Sequence, residues 1–217
     1  MSLWAVVPVK PIRRGKSRLA GVLSEKERTD LNTFLFEHTM QVLVGVKRID
    51  QILVISRDPL VLSLARQYKT RTLQEDSNSN LNLALKLASR MAQAYETREM
   101  LIIPADLPLI TTDEIDQFLG LAGNPPELII APDRHMSGTN ALYVNPIGNI
   151  EYHYGPDSYH HHLNEAKTLG YAVKTRITPL LGFDLDFPED LDIFAGIQKG
   201  EIKPEQIYLK QTELEEK

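Results

Sequence analysis

Five cations, Lys10, Arg13, Arg14, Lys16 and Arg18, fall within nine residues of a chain whose formal net charge is −5. Concentrated positive charge in an acidic protein suits a phosphate, which asks for cations and N–H donors close together. Gly15, inside this run, lets the backbone come near a ligand. A solvated basic loop would use the same residues, but their clustering in an acidic chain favours phosphate. The segment has neither the P-loop pattern nor G-x-G-x-x-G, so both of those nucleotide folds lose support.

A second kind of chemistry is offered by Asp184-Leu185-Asp186. In an extended chain, residues i and i+2 face the same side about 6.6 Å apart. Two carboxylates so placed can hold hard cations through oxygen, as magnesium prefers at about 2.0–2.1 Å. Leu185 would then point into the core. Capping of a helix beginning at Pro188 explains one of these acids more easily than both. Asp106, in Pro104-Ala105-Asp106-Leu107-Pro108, follows a wholly apolar run, where ligand sites of open α/β sheets lie. A turn closed by Pro108 explains Asp106 equally well on its own.

Gly138-Thr139-Asn140 and Gly155-Pro156-Asp157-Ser158 are polar loops that offer hydroxyls and backbone N–H groups, the second at a helix start. Ordinary turn and cap chemistry uses the same residues and is the simpler reading of both. Asn82 opens a helix after Ser77-Asn78-Ser79-Asn80; capping explains it, and its amide is also of a type that reads a base edge. His160-His161-His162 is no metal site, because consecutive helical residues point about 100° apart. A solvated face is expected there.

The elements that must position these groups alternate between strand and helix, the mark of an α/β fold with a mainly parallel sheet flanked by helices. Strands are expected at 4–9, 51–55, 71–73, 100–103, 128–131, 140–144 and 171–177, with a short extended piece at 182–186. Met100-Leu101-Ile102-Ile103 is apolar on both faces and reads as central. Residues 171–177 alternate in charge and read as an edge. Helices are expected from Ser24 to about Lys47, Pro59 to about Tyr68, Leu81 to about Glu96, from Thr111, from Asp157 or Ser158 to Gly170, and from Pro188 to about Lys199. Ser24-Glu27 and Thr111-Glu114 have capping-box spacing.

At 217 residues and 42% apolar composition, one domain over 1–202 can bury its own core, followed by a solvated or frayed tail over 203–217. The absence of cysteine excludes thiol catalysis, thiolate zinc and disulfides, and is compatible with the cytoplasm expected here. No stretch reads as a signal peptide or a membrane span. The acidic balance argues against a nucleic-acid surface.

Taken in order, these motifs resemble those of a known family. Val7-Pro8-Val9-Lys10 with Gly15-Lys16-Ser17-Arg18-Leu19, then Asp106-Leu107-Pro108, Gly138-Thr139-Asn140, Tyr154-Gly155-Pro156-Asp157-Ser158 and Asp184-Leu185-Asp186 before Pro188 are similar to the guanylyltransferases of deazaflavin coenzyme F-420 biosynthesis. The likeness spans roughly residues 3–199. Gly15 stands where alanine is expected and Ala105 where glycine is frequent, and neither change removes a functional group.

The resemblance implies a nucleotide-diphospho-sugar-transferase-like (GT-A-like) single domain that transfers GMP from GTP to a three-carbon phospho-acid. The acceptor is phosphoenolpyruvate in many bacteria and 2-phospho-L-lactate in archaea; phosphoenolpyruvate is favoured. It further implies two magnesium ions on Asp106, Asp184 and Asp186, and Lys10 facing the acceptor. Thr139, Gly155 and Ser158 would hold the acceptor, Asn82 would meet the nucleotide, and the product would be handed to the next biosynthetic enzyme. A homodimer is the default for a soluble enzyme. An acceptor phosphate needs no general base, so Lys10, Lys16 and Arg18 would act by neutralising charge.

Three other readings compete. A sugar-nucleotide pyrophosphorylase or molybdopterin guanylyltransferase usually carries Gly-Gly in the first loop, where Lys10-Pro11-Ile12 stands. A glycosyltransferase could use Asp-x-Asp without releasing pyrophosphate from GTP. A non-catalytic nucleotide-binding protein has no need of three aspartates.

Overall fold

A computed structural model describes residues 2–76 and 80–207, the side chain of Arg14 excepted; residues 77–79 of the expected polar loop and 208–217 of the expected tail lie outside the described residues. Seven strands form one sheet in the order β3-β2-β1-β4-β6-β5-β7: β1 Leu3–Val9, β2 Gln51–Ser56, β3 Arg71–Gln74, β4 Glu99–Ile102, β5 Glu127–Pro132, β6 Thr139–Asn145 and β7 Ala172–Thr175. All neighbours run parallel except β6, which is antiparallel to both β4 and β5. The apolar 100–103 run is indeed central and fully buried, and the charge-alternating β7 is an edge.

Side-chain alternation along β1 builds two cores from one strand. Leu3, Ala5 and Val7 face α1 (Glu25–Gly45), α2 (Pro59–Gln67) and α4 (Thr112–Leu119), meeting Phe36, Met40, Val61 and Phe118. Trp4 and Val6 face α3 (Leu81–Ala94) and α5 (Ser158–Thr168), meeting Leu85, Ala88 and Tyr159. Two further helices are α6 (Pro179–Gly182) and α7 (Pro188–Gln198).

Helix starts follow the expected cap chemistry with three differences, one of which, at Asp157, belongs to the site described below. Ser24 and Glu27 form a reciprocal capping box. Thr111 accepts from the Glu114 N–H, but the Glu114 carboxylate goes to Arg176 instead of back to the cap. The cap of α3 is Asn80, not Asn82: the Asn80 side chain accepts from the Leu83 N–H at 2.9 Å. Gly182, expected to begin an extended piece, instead closes the single turn of α6, which Pro179 opens.

Packing continues past residue 202: Ile207 is buried against Phe183 and Leu109. Among the described residues no helix is long and apolar enough to cross a membrane.

Candidate active site

The chain leaves β1 for β2 on one side, while β4 lies on the other, so the carboxyl ends of β1 and β4 flank a topological switch point. Loop 10–19 leaves β1 there as two single 3-10 turns, Ile12–Arg14 and Ser17–Leu19, anchored by buried Ile12 and Leu19. Lys16 between them has φ of 54°, a left-handed conformation that costs a non-glycine residue about 1–2 kcal/mol. That backbone turns its side chain inward, leaving it only 6% exposed.

The Lys16 ammonium ends 3.2 Å from Asp106 Oδ2 and 2.8 Å from Asp186 Oδ1. Arg18 donates to the other Asp186 oxygen at 3.1 Å and stacks over the Phe187 ring. Asp106 and the 184–186 segment are also tied through backbone, the Leu185 N–H donating to the Asp106 carbonyl at 3.1 Å. Leu185 is fully buried, so the expected alternation holds: its two aspartate neighbours face the other way, partly exposed. Three aspartates remote in sequence thus share one locus with Lys16.

Their electrostatics are unequal. Burial pushes the Asp184 carboxyl up to about 7, and the nearby Asp106 and Asp186 charges add to the shift. Burial would also raise Asp186, but Lys16, with Lys10 and Arg18, outweighs it and holds Asp186 below the usual carboxylate range. Burial would lower Lys16, yet Asp106 and Asp186 more than compensate and raise it. Lys10 is exposed and reaches the site through its field on Asp186.

Hard oxygen donors that include a carboxyl whose charge is disfavoured by burial and by two neighbouring carboxylates fit a divalent cation. Among the described residues no three carboxylates or imidazoles converge as a finished metal cage, and the Lys16 ammonium bridges Asp106 and Asp186. Asp106, Asp184 and Asp186 are nonetheless the groups that could hold such ions.

Behind Asp186 stands a pair that sequence reasoning missed. Asp190, fully buried, accepts from the backbone N–H groups of Asp186 and Phe187, each at 2.7 Å, and its other oxygen pairs with Arg134. An acid three residues into a helix is a cap signal, and Phe187 cannot reciprocate, so Asp190 is free to hold the aspartate segment. Arg134 lies 56 residues away, which nothing in the local sequence announces.

A cavity of about 770 Å³ opens beside this locus, lined among others by Arg18, Gly138, Gly155, Asp184, Asp186 and Phe187. The two polar loops both contribute to this lining and meet each other. A Cβ on Gly138 would come within 2.7 Å of Asp133 Oδ2. Asn140 braces the segment before Asp184 by donating to the Leu181 carbonyl at 2.9 Å. Gly155 has φ of 139° and Asp157 has φ of 55°, so the second loop turns through two left-handed residues before α5. Asp157 occupies the cap position without making a cap bond. Thr139 and Ser158 lie just behind this lining, joined by a 3.2 Å hydrogen bond from Ser158 to Thr139.

Asn82 does not line the cavity. Its amide accepts from the Tyr154 N–H at 2.7 Å and donates to the Tyr154 carbonyl at 3.0 Å, holding the chain next to Gly155. Gly15 is explained by Asn32: a Cβ would come within 2.7 Å of the Asn32 amide nitrogen, which itself bonds the Ile12 carbonyl. The histidine run divides, His160 and His161 being exposed while His162 is fully buried, contrary to the expected solvated face. The three do not converge, as expected from their spacing.

Comparison with known proteins bears on the fold and the family. Solved structures with the same fold include a protein from Desulfovibrio desulfuricans assigned as a nucleotide-diphospho-sugar transferase, with TM-score 0.71, 15% identity, and 89% of this chain and 87% of that one covered. A cytidylyltransferase from Leptospira borgpetersenii aligns with TM-score 0.60 and 12% identity, covering 99% of this chain and 93% of that one.

The phosphoenolpyruvate guanylyltransferase of Rubrobacter xylanophilus is 39% identical over 201 residues, 91% of this chain and 97% of that protein. The 2-phospho-L-lactate guanylyltransferase of Methanocaldococcus jannaschii is 36% identical over 192 residues, 88% of this chain and 81% of that protein. Residues 3–216 match the family described as "Guanylyl transferase CofC like". With nearly the whole chain matched by the family and by relatives of this identity, this protein belongs to that family of guanylyltransferases.

Proposed function

We propose that the chain transfers GMP from GTP to a three-carbon phospho-acid and releases pyrophosphate, as a step in deazaflavin coenzyme F-420 biosynthesis. Phosphoenolpyruvate is the favoured acceptor and 2-phospho-L-lactate the next, since the relatives carry both names. The observation that carries the reading is the meeting of Asp106 and Asp186 on the Lys16 ammonium, with Asp184 beside them.

An acceptor phosphate oxygen attacks the α-phosphorus of GTP, the new P–O bond forms, and the bridge to the β-phosphorus breaks with its electron pair leaving on pyrophosphate. A phosphate monoester is largely dianionic at neutral pH, its second pKa lying near about 6. No side chain has to remove a proton. Two magnesium ions on Asp106, Asp184 and Asp186 would supply charge neutralisation between the two anions. Lys16 and Arg18 add fixed positive charge at the leaving side, and exposed Lys10 draws the acceptor in. Thr139, Gly155 and Ser158 orient the acceptor from across the cavity.

In this reading the enzyme works in the cytoplasm, where GTP is made, as a homodimer, and passes its mixed anhydride to the next enzyme. Asn82 acts on the acceptor loop through Tyr154, and a contact from its amide to the nucleotide is the alternative tested below. The deciding experiment is pyrophosphate release with magnesium, GTP and a panel of phospho-acids. Release dependent on phosphoenolpyruvate or 2-phospho-L-lactate is expected; release only with a sugar phosphate would overturn the assignment.

A further inference from the structure

The sequence Tyr154–Ser158, the histidine run and β6 meet at one hydroxyl, that of Thr139. His162 is fully buried, and its Nε2 accepts the backbone N–H of His153 at 3.0 Å. Burial, together with His153 and His161 nearby, outweighs a hydrogen bond to the Ser158 backbone and lowers its pKa to about 3, so the ring is neutral at physiological pH. A neutral imidazole that accepts at Nε2 carries its single ring hydrogen on Nδ1. Nδ1 lies 3.0 Å from Thr139 Oγ1, so this bond runs from His162 to Thr139. Ser158 also donates to the same oxygen, at 3.2 Å. Two incoming donors occupy the lone pairs of one hydroxyl, and neither bond uses the Thr139 hydrogen.

Thr139 keeps 6% of its surface exposed and follows Gly138, which lines the cavity. We propose that His162 is a positioning residue that fixes the Thr139 hydroxyl as a donor to an anionic oxygen, phosphate or carboxylate, of the acceptor. This rests on the acceptor reading given above. With the opposite polarity, Thr139 would spend its hydrogen on the imidazole and turn lone pairs toward an anion. The buried histidine therefore favours an oxyanion over a hydrogen-bond donor at this point.

Two measurements test it. The ¹⁵N shifts of the His162 ring in the intact protein at pH 7 are expected to report the Nδ1–H tautomer; the Nε2–H tautomer would overturn the proposal whatever the enzyme's activity. In steady-state kinetics, His162→Gln, which moves the amide toward the Nε2 position, is expected to raise the acceptor KM about tenfold, the cost of one lost hydrogen bond, with GTP KM unchanged.

His162→Asn leaves an amide nitrogen near the Nδ1 position and is expected to keep most of the acceptor affinity. Combining Thr139→Val with His162→Gln is expected to be no worse than Thr139→Val alone, because one acts through the other. Additive losses, or parallel rises in the GTP and acceptor KM, indicate a general packing role and overturn the proposal. A wild-type protein inert with every phospho-acid defeats the acceptor reading instead, and the ring shifts then judge the hydrogen-bond polarity by themselves.

Discussion

The Asp190 carboxylate accepts the backbone N–H of Asp186 at 2.7 Å, so the aspartate that meets Lys16 is held by a second, buried aspartate four residues on. Asp190 also accepts from Phe187 and pairs with Arg134. Replacing it by alanine leaves Arg134 buried without its counter-charge and the 186–187 backbone unpinned. Removing one partner of a buried pair typically costs about 3–5 kcal/mol. Urea unfolding of Asp190→Ala is expected to show a loss of that order, and the magnesium concentration for half-maximal turnover is expected to rise. Wild-type values in both would show that Asp190 holds nothing.

Asp184 makes stability depend on pH. Its carboxyl is pushed up to about 7 in the folded, metal-free protein from 3.8 when unfolded, because burial and then Asp106 and Asp186 disfavour its charge. The folded state thus binds the extra proton, and this contribution is complete below about pH 4 and lost as pH rises through 7. In EDTA, Asp184→Asn should gain in urea midpoint over the wild type at pH 8 relative to pH 5. The same variant, and Asp106→Asn, should fold but not transfer GMP. Equal gaps at both pH values, or wild-type turnover, would refute the assigned environment or role.

Much of this was legible in the residue pattern. The apolar 100–103 run, the alternating charges Lys174 and Arg176 within 171–177 and the i, i+2 aspartates around Leu185 depend on local periodicity, which an extended chain preserves in the fold. The antiparallel direction of β6 was not legible, because an apolar strand after a polar loop reads the same in either direction. Nor was the Arg134–Asp190 pair, whose members meet only after β5 and α7 have packed. Asn80 and Asn82 are both cap-type residues, and only the geometry of α3 distinguishes the cap from the brace on Tyr154. His162 differs from His160 and His161 by one step around a helix whose buried face no short motif reveals.

Asn82 offers a discriminating test. Loss of its two bonds to Tyr154 should cost about 1–3 kcal/mol in Asn82→Ala, since both backbone groups lose a partner. A brace on the Gly155 loop predicts that the acceptor KM rises more than the GTP KM. A larger rise for GTP would place the amide on the nucleotide.

Ser158→Ala should raise the acceptor KM roughly three- to tenfold, the scale of one hydrogen bond, with GTP KM within about twofold. Proportional changes in both would move Ser158 away from the acceptor.

Lys16→Met removes the ammonium shared by Asp106 and Asp186. In EDTA the variant is expected to melt below the wild type, and saturating magnesium is expected to narrow the gap as divalent charge replaces the lost one. An unchanged gap would show that Lys16 and the cation do not share a locus.

That placement has a consequence for the life of the protein before it meets its substrates. A lysine held in place by a left-handed turn acts as a built-in counter-ion to Asp106 and Asp186. Under the proposed reading, divalent ions would arrive at carboxylates whose charge this ammonium already offsets, so loading would exchange one resident charge for mobile ones.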